Sequence, residues 1–394
     1  MRQVYLDNSA TTPVREDVLA AMLPYFSENA GNASSLHRVG QRAKRALDRA
    51  RDEVARALGA RSAEITANSG GTEGDNQAIV GALRAHPDGG RHMVTSTIEH
   101  HAVLNLCQWL ESQGYSVTYV PVDQYGTIDM SGLEASLRPD TVLVSVMLAN
   151  NEVGTIQPVA EIARLAHARG ILVHTDAVQA VGKIPVDVNA LGVDLLTLTA
   201  HKFGGPKGAG ALYVRTGTPI EPLLYGGHQE RALRPGTQNI PGIVGLATAL
   251  RLATAELPRE AARLGALRDR LQESILTNIA DTAVNGHPTR RLPNILNISF
   301  AGVEGEALLL ALDMQGIAVS TGSACAAGST DPSHVLQAMG LPRDRAQGSL
   351  RLSLGHTTAE EDIDYTLQTL VQVVERLRSL TPVQTGDPVT AKRR

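Results

Sequence analysis

The chain has little cysteine and little lysine: 394 residues contain two cysteines, Cys107 and Cys325, and five lysines against thirty-one arginines. Two cysteines exclude a disulfide scaffold, an all-cysteine zinc site and an iron–sulfur cluster held within one chain, and they suit a reducing compartment. A basic excess is also missing, with 36 basic and 40 acidic residues and a net charge of −4, which argues against nucleic acid as a main partner. No uninterrupted apolar run approaches the roughly 20 residues of a membrane span. The opening MRQVYLDNSATTP lacks the apolar stretch of a secretory signal. The expectation is a cytoplasmic protein without a membrane partner. What is present, 43% hydrophobic and 19% charged residues, is ordinary for a globular chain with one large and one smaller domain.

Short β-branched runs alternate with helical patterns through the middle of the sequence. Strands are expected at 92–98, 115–122, 141–148, 171–177, 193–199 and 210–215, with helices after the first and third. Near-continuous apolar strands separated by helices require a mostly parallel sheet covered on both faces, an α/β core whose sites form at the strands' carboxyl ends. A long Leu-, Ala- and Arg-rich helix from about 240 to 279 leads to a smaller α+β unit with strands ILNISF, IAVSTGSA and SLRLSLG. The period of Val39, Ala43, Leu47, Ala50, Val54 and Leu58 predicts a helix over 34–58 whose other face is charged and solvated.

Several strand ends carry residues suited to one chemistry. In LLTLTAHKFGGPKGAGALYV, Lys202 follows an apolar strand, where desolvation favours the neutral amine needed for a Schiff base with a carbonyl such as pyridoxal phosphate. A lysine stem lying along apolar surface is the alternative. Asp176 in VHTDAVQA ends the preceding strand and could pair with a protonated pyridine nitrogen, with Gln179 three residues on. Gly70, Gly71 and Thr72 open a helix whose N–H groups could cradle a phosphate. In STIEHHAVL a histidine could stack on a ring or move protons; a solvent-facing helix start fits His101 better than His100, but spacing does not choose. Asn151 of MLANNEVG could donate to a ring oxygen or merely close its own turn. Cys325 lies among Ser, Gly and Ala, as an accessible nucleophile would, whereas Cys107 among Leu104, Leu106 and Trp109 reads as a buried apolar residue.

Taken in order, YLDNSATTP, SGGTEGDN, EHHAVL, NNEVG, HTDAVQ, TAHKFGGPKGAGALYV, RPGTQN, TGSAC and SLRLSLG resemble the pyridoxal-phosphate cysteine desulfurases of the class V aminotransferase family, group I, NifS/IscS-like branch. The resemblance implies the type I fold of pyridoxal-5'-phosphate-dependent transferases: a large domain over 15–255 with a seven-stranded, mostly parallel sheet, and a small α+β domain from 1–14 and 256–380. Residues 381–394 are expected to form a disordered tail. It further implies a homodimer that converts L-cysteine to L-alanine and hands sulfur to an iron–sulfur scaffold or another acceptor protein. By the resemblance, Lys202 carries the cofactor, His100 stacks on its ring, and Asp176 and Gln179 meet the pyridine nitrogen and the phenolic oxygen. Gly71, Thr72, Thr199 and His201 bind phosphate, joined by Thr237 from the other subunit. Asn151 touches cofactor and substrate, Asn32 and Arg351 grip the substrate carboxylate, and Cys325 accepts sulfur. No metal is implied. Two departures from the family pattern stand out: Ala33 is found where relatives often have proline, and Gly71 and Gly74 where many have Ala and Ser.

Overall fold

A computed structural model describes residues 2–86, 90–321 and 332–380. Its strands are β1 (Val4–Tyr5), β2 (Ile65–Asn68), β3 (His92–Ser96), β4 (Ser116–Val120), β5 (Thr141–Ser145), β6 (Leu172–Asp176), β7 (Leu195–Thr199), β8 (Gly210–Val214), β9 (Thr282–Asn285), β10 (Ile295–Phe300), β11 (Ile317–Ala318), β12 (Ser320–Thr321) and β13 (Ser349–Ser353). Seven of these form one sheet in the order β2-β8-β7-β6-β5-β3-β4, in which β8 alone runs antiparallel to its neighbours. Every residue of β3, β5, β7 and β8 is buried, the consequence of helices on both faces and the reason these strands read as near-continuous apolar runs. Because six strands share one direction, their carboxyl ends lie along one edge.

A second sheet of four antiparallel strands, β12-β13-β10-β9, has its own core of Ile298, Phe300, Leu308, Leu350 and Leu352. The N-terminal strand belongs to this side: β1 pairs parallel with β11, and Val4 and Leu6 are buried in the same core. The helix Ile240–Asn278 joins the two regions. Ile243, Leu246 and Leu250 are buried in the large core, and beyond Pro258 Leu267, Leu271 and Ile275 are buried in the small one. By length and composition alone this helix could cross a membrane, but its apolar first half is spent on the core.

Two expectations need correction. The helix expected from 34 starts at Arg38, because the His37 ring caps it by accepting the Gly40 N–H at 3.2 Å. Val39 on the opening turn is 40% exposed, since that turn projects past the core that receives Ala43 to Leu58. IAVSTGSA is not one strand: it breaks at Val319 into β11 and β12, which pair with different partners, and its last residues lie outside those described. The expected tail 381–394 also lies outside the described residues.

Candidate active site

The parallel strands deliver their loops to a cleft of about 330 Å³ that His100, Asn151, Asp176, Gln179, Lys202 and Arg351 all line. An adjoining cavity of about 430 Å³ is bounded by Gly70, Gly71, Thr72, Thr199, His201 and Lys207. Between them runs the N-terminus of the helix Gly71–Arg84, which no side chain caps. Its N-cap, Gly70, holds φ +150°, a conformation that residues with a Cβ rarely adopt. The helix therefore presents unsatisfied N–H groups beside the Thr72 and Thr199 hydroxyls, the arrangement an anion needs.

The opposite end of the cleft is buried and polar. The Asp176 carboxylate accepts the Val178 N–H at 2.8 Å, and burial raises its pKa to about 6. Asp75 lies close by; burial, and next the charge of Asp176, push it well above the usual carboxylate range, and its Oδ1 has no hydrogen-bond partner. Behind both, the His174 ring bonds the Ser145 hydroxyl at 2.9 Å and the Thr197 hydroxyl at 3.0 Å, and burial lowers it to about 3. Two buried carboxyl groups with so few donors favour a proton-bearing cationic partner in the cleft.

His100 and His101 part ways. The His100 Nδ1 accepts the Ala102 N–H at 3.1 Å, which leaves Nε2 to carry the proton, and burial followed by the Lys202 charge lowers the imidazole to about 4. It is neutral at physiological pH. His101 does not face open solvent; its ring packs on His334 at 4.8 Å. In the NNEVG loop it is Asn150 that closes the turn, its Oδ1 accepting the Glu152 and Val153 N–H groups, so Asn151 is left to line the cleft.

The N-terminal motif closes the floor. Lys202 Nζ donates to the carbonyls of Ser9 and, at 3.0 Å, Ala10. Gln179 Nε2 donates to the Ser9 carbonyl at 2.9 Å, leaving Oε1 without a partner. From the second sheet, Arg351 reaches in from the middle of β13, 1% exposed, donating to Asp7 Oδ1 at 2.8 Å and to the Asn151 carbonyl at 3.1 Å. Its Nε is unpartnered. Sequence reasoning missed Asp7, Ser9, Asp75 and the buried Glu99 and Glu152. Asp7 and Ser9 stand in a motif given no chemical role of its own, and Asp75 in one read only for its glycines and Thr72.

Two expected residues, Thr237 and Asn32, are not in this cleft. Thr237 is exposed and outside the described lining. Asn32 is exposed too, its Oδ1 accepting the Ser34 N–H at 2.9 Å in a turn ahead of the next helix. Cys325 lies outside the described residues. Cys107 is buried as expected, and burial pushes its thiol up to about 12.

A family model for aminotransferase class-V matches residues 4–366. The chain is 54% identical to a protein named cysteine desulfurase IscS from Methanosarcina thermophila, over 97% of this chain and 94% of that one. It is 50% identical to a protein of the same name from Dictyoglomus turgidum, over 97% of each. Among solved structures, one titled NifS-like protein superposes with a TM-score of 0.90 at 41% identity, over 95% of this chain and all of the other.

Proposed function

The chain belongs to the class-V aminotransferase family, and we propose that it is a pyridoxal-phosphate-dependent cysteine desulfurase, converting L-cysteine to L-alanine and leaving the sulfur on Cys325 as a persulfide. The observation that carries this reading is one cleft holding Lys202, Asp176 and Arg351: an amine, a buried carboxylate and a buried guanidinium. The fold is the type I α/β fold of pyridoxal-phosphate-dependent transferases.

Pyridoxal 5'-phosphate fits the residues present. The uncapped helix with Gly71, Thr72, Thr199 and His201 suits its phosphate, the under-supplied Asp176 its protonated pyridine nitrogen, and Gln179 and His100 its ring. When bound, the cofactor supplies an electron sink for the charge that develops at the substrate α-carbon. Thr237, exposed here, would complete the phosphate site in the second subunit of a homodimer, an assembly supported by the exposed Leu224 and Tyr225 on the same connection.

Arg351 holds the substrate carboxylate in a bidentate pair with Asn151 beside it, while Asn32, outside the cleft in this structure, is assigned to the grip by the family resemblance alone. The Lys202 amine takes the proton from the substrate α-carbon, and neutral His100 carries one at Nε2. The Cys325 thiolate attacks the substrate sulfur: the S–S bond forms, the C–S bond breaks, and its electron pair stays with the three-carbon fragment. Protons complete alanine. The persulfide then passes to an iron–sulfur scaffold or another sulfur-acceptor protein. The reading includes a cytoplasmic enzyme with a cofactor-binding region over 15–255 and a small region from 1–14 with 256–380.

The test is the visible spectrum of the holoenzyme before and after L-cysteine, with alanine and persulfide counted. A spectral change with one alanine per persulfide supports the reading. A Cys325→Ala variant that still released sulfide at the wild-type rate would sink the persulfide role.

A further inference from the structure

We propose that Glu152 is a positioning residue for sulfur transfer: through the Ser333 hydroxyl it ties the chain segment that follows Cys325 to the loop that presents Asn151 to the substrate. The inference rests on the desulfurase reading and concerns residues that reading does not use.

Both side chains are buried, Glu152 to 2% and Ser333 to 3% exposure. The Ser333 hydroxyl donates to Glu152 Oε2 while accepting the Leu336 N–H at 3.2 Å, so it caps the helix His334–Ala338 and spends its one proton on the carboxylate. The backbone of Glu152 is held independently: its N–H goes to Asn150 Oδ1 at 2.8 Å and its carbonyl accepts from Asn297 at 3.3 Å. The neighbouring Asn151 carbonyl takes an Arg351 N–H at 3.1 Å. One dipeptide therefore faces the cleft with Asn151 and grips Ser333 with Glu152.

A second tie repeats the pattern. His334 Nε2 bonds the Glu99 carbonyl at 3.0 Å, and its ring packs on His101, so the residues on either side of His100 hold the same helix start. Ile98 and Val153, from the same two loops, share an apolar cluster with Val335, Leu336 and Met339. Upstream of Cys325, Ser320 on β12 stands opposite Arg351 on β13. Both described flanks of the cysteine-bearing segment are thus registered against residues that meet the substrate. A buried carboxylate is a costly anchor, and a greasy contact would hold the helix as well. What the carboxylate adds is direction.

Single-turnover mixing of the holoenzyme with L-cysteine separates positioning from folding, by following two readouts: the spectral change on substrate binding, and persulfide at Cys325 by alkylation and mass spectrometry. Ser333→Ala is expected to slow persulfide formation about tenfold, the loss of one buried hydrogen bond, with the spectral change within about twofold of wild type. Ser333→Thr should restore the wild-type rate. Glu152→Gln, which keeps an acceptor oxygen but no charge, should fall between and serves if the alanine variant does not fold. Persulfide formed by Ser333→Ala at the wild-type rate, or both readouts slowed in proportion, would overturn the inference. No persulfide in the wild-type enzyme would break the desulfurase reading itself, and this inference with it.

Discussion

The two walls of the cleft are built in opposite ways. On one side, five parallel strands each stop and hand a residue just past their ends to the edge: Thr72 after β2, His100 after β3, Asn151 after β5, Gln179 after β6 and Lys202 after β7. On the other, Arg351 projects from the middle of a strand, hydrogen-bonded on both flanks to β10 and β12. Loops at strand ends can be respaced without disturbing the sheet, so that wall suits many small contacts to one large ligand. A mid-strand side chain is fixed by register, and a slip of one residue would turn it to the opposite face. That wall suits a single strong grip on a small group.

Lys202→Ala breaks the first wall at its reactive atom and is expected to cost on the order of ten-thousandfold in turnover, measured as alanine release. Residual activity within tenfold of wild type would move the proton-transfer role elsewhere. The same wall stores protons. Burial pushes Glu99 up to about 8 from an ordinary 4.5, while its oxygens accept the Met147 N–H at 3.1 and 3.0 Å. As pH rises through this window the unfolded chain gives up the Glu99 proton before the native one does. Native stability therefore falls between about 4.5 and about 8, by on the order of a few kcal/mol. Melting temperature against pH should show that slope in the wild type and a flatter one in Glu99→Gln; equal slopes would place the titration on another group. Arg351→Lys tests the second wall. It keeps the charge but loses the planar fork, and about a hundredfold in kcat/KM is expected, chiefly through KM.

The strand-end wall was largely legible in the sequence and the mid-strand wall was not. Near-continuous apolar runs identify buried parallel strands, and parallel strands must bring their carboxyl ends to one edge, so chemistry-bearing residues just past each run converge without knowledge of the loops. The loops blurred the details: Asn150 and Asn151 are interchangeable on paper, and only Asn150's bonds to Glu152 and Val153 show which one closes the turn. Arg351 was pointed out by resemblance, because a mid-strand arginine has no signature of its own. Ser9 and Ala10 act through carbonyl oxygens, which every residue possesses, so their hold on Lys202 could not be read from residue type. Asp75 sits five residues after Gly70, and its effect on Asp176 exists only once helix and sheet are packed.

The smallest predicted effect concerns Asp7, which bridges the two walls. It comes from the N-terminal segment that also holds Lys202, and it accepts an Arg351 N–H at 2.8 Å with its side chain 21% exposed. Such a carboxylate could brace the guanidinium for the substrate or stand in the place the substrate carboxylate takes. The Asn151 carbonyl holds the other guanidinium nitrogen at 3.1 Å, so the plane of Arg351 is set by two contacts, of which Asp7 is one. Bracing therefore predicts that Asp7→Asn, which keeps an acceptor oxygen but removes the charge, raises the KM for cysteine about fivefold with kcat unchanged, the worth of a partly exposed ion pair. A fall in KM would mean that Asp7 competes for the guanidinium. The grip on the substrate would then be made by exchange of one carboxylate for another, and the mid-strand wall would be a switch between two occupants.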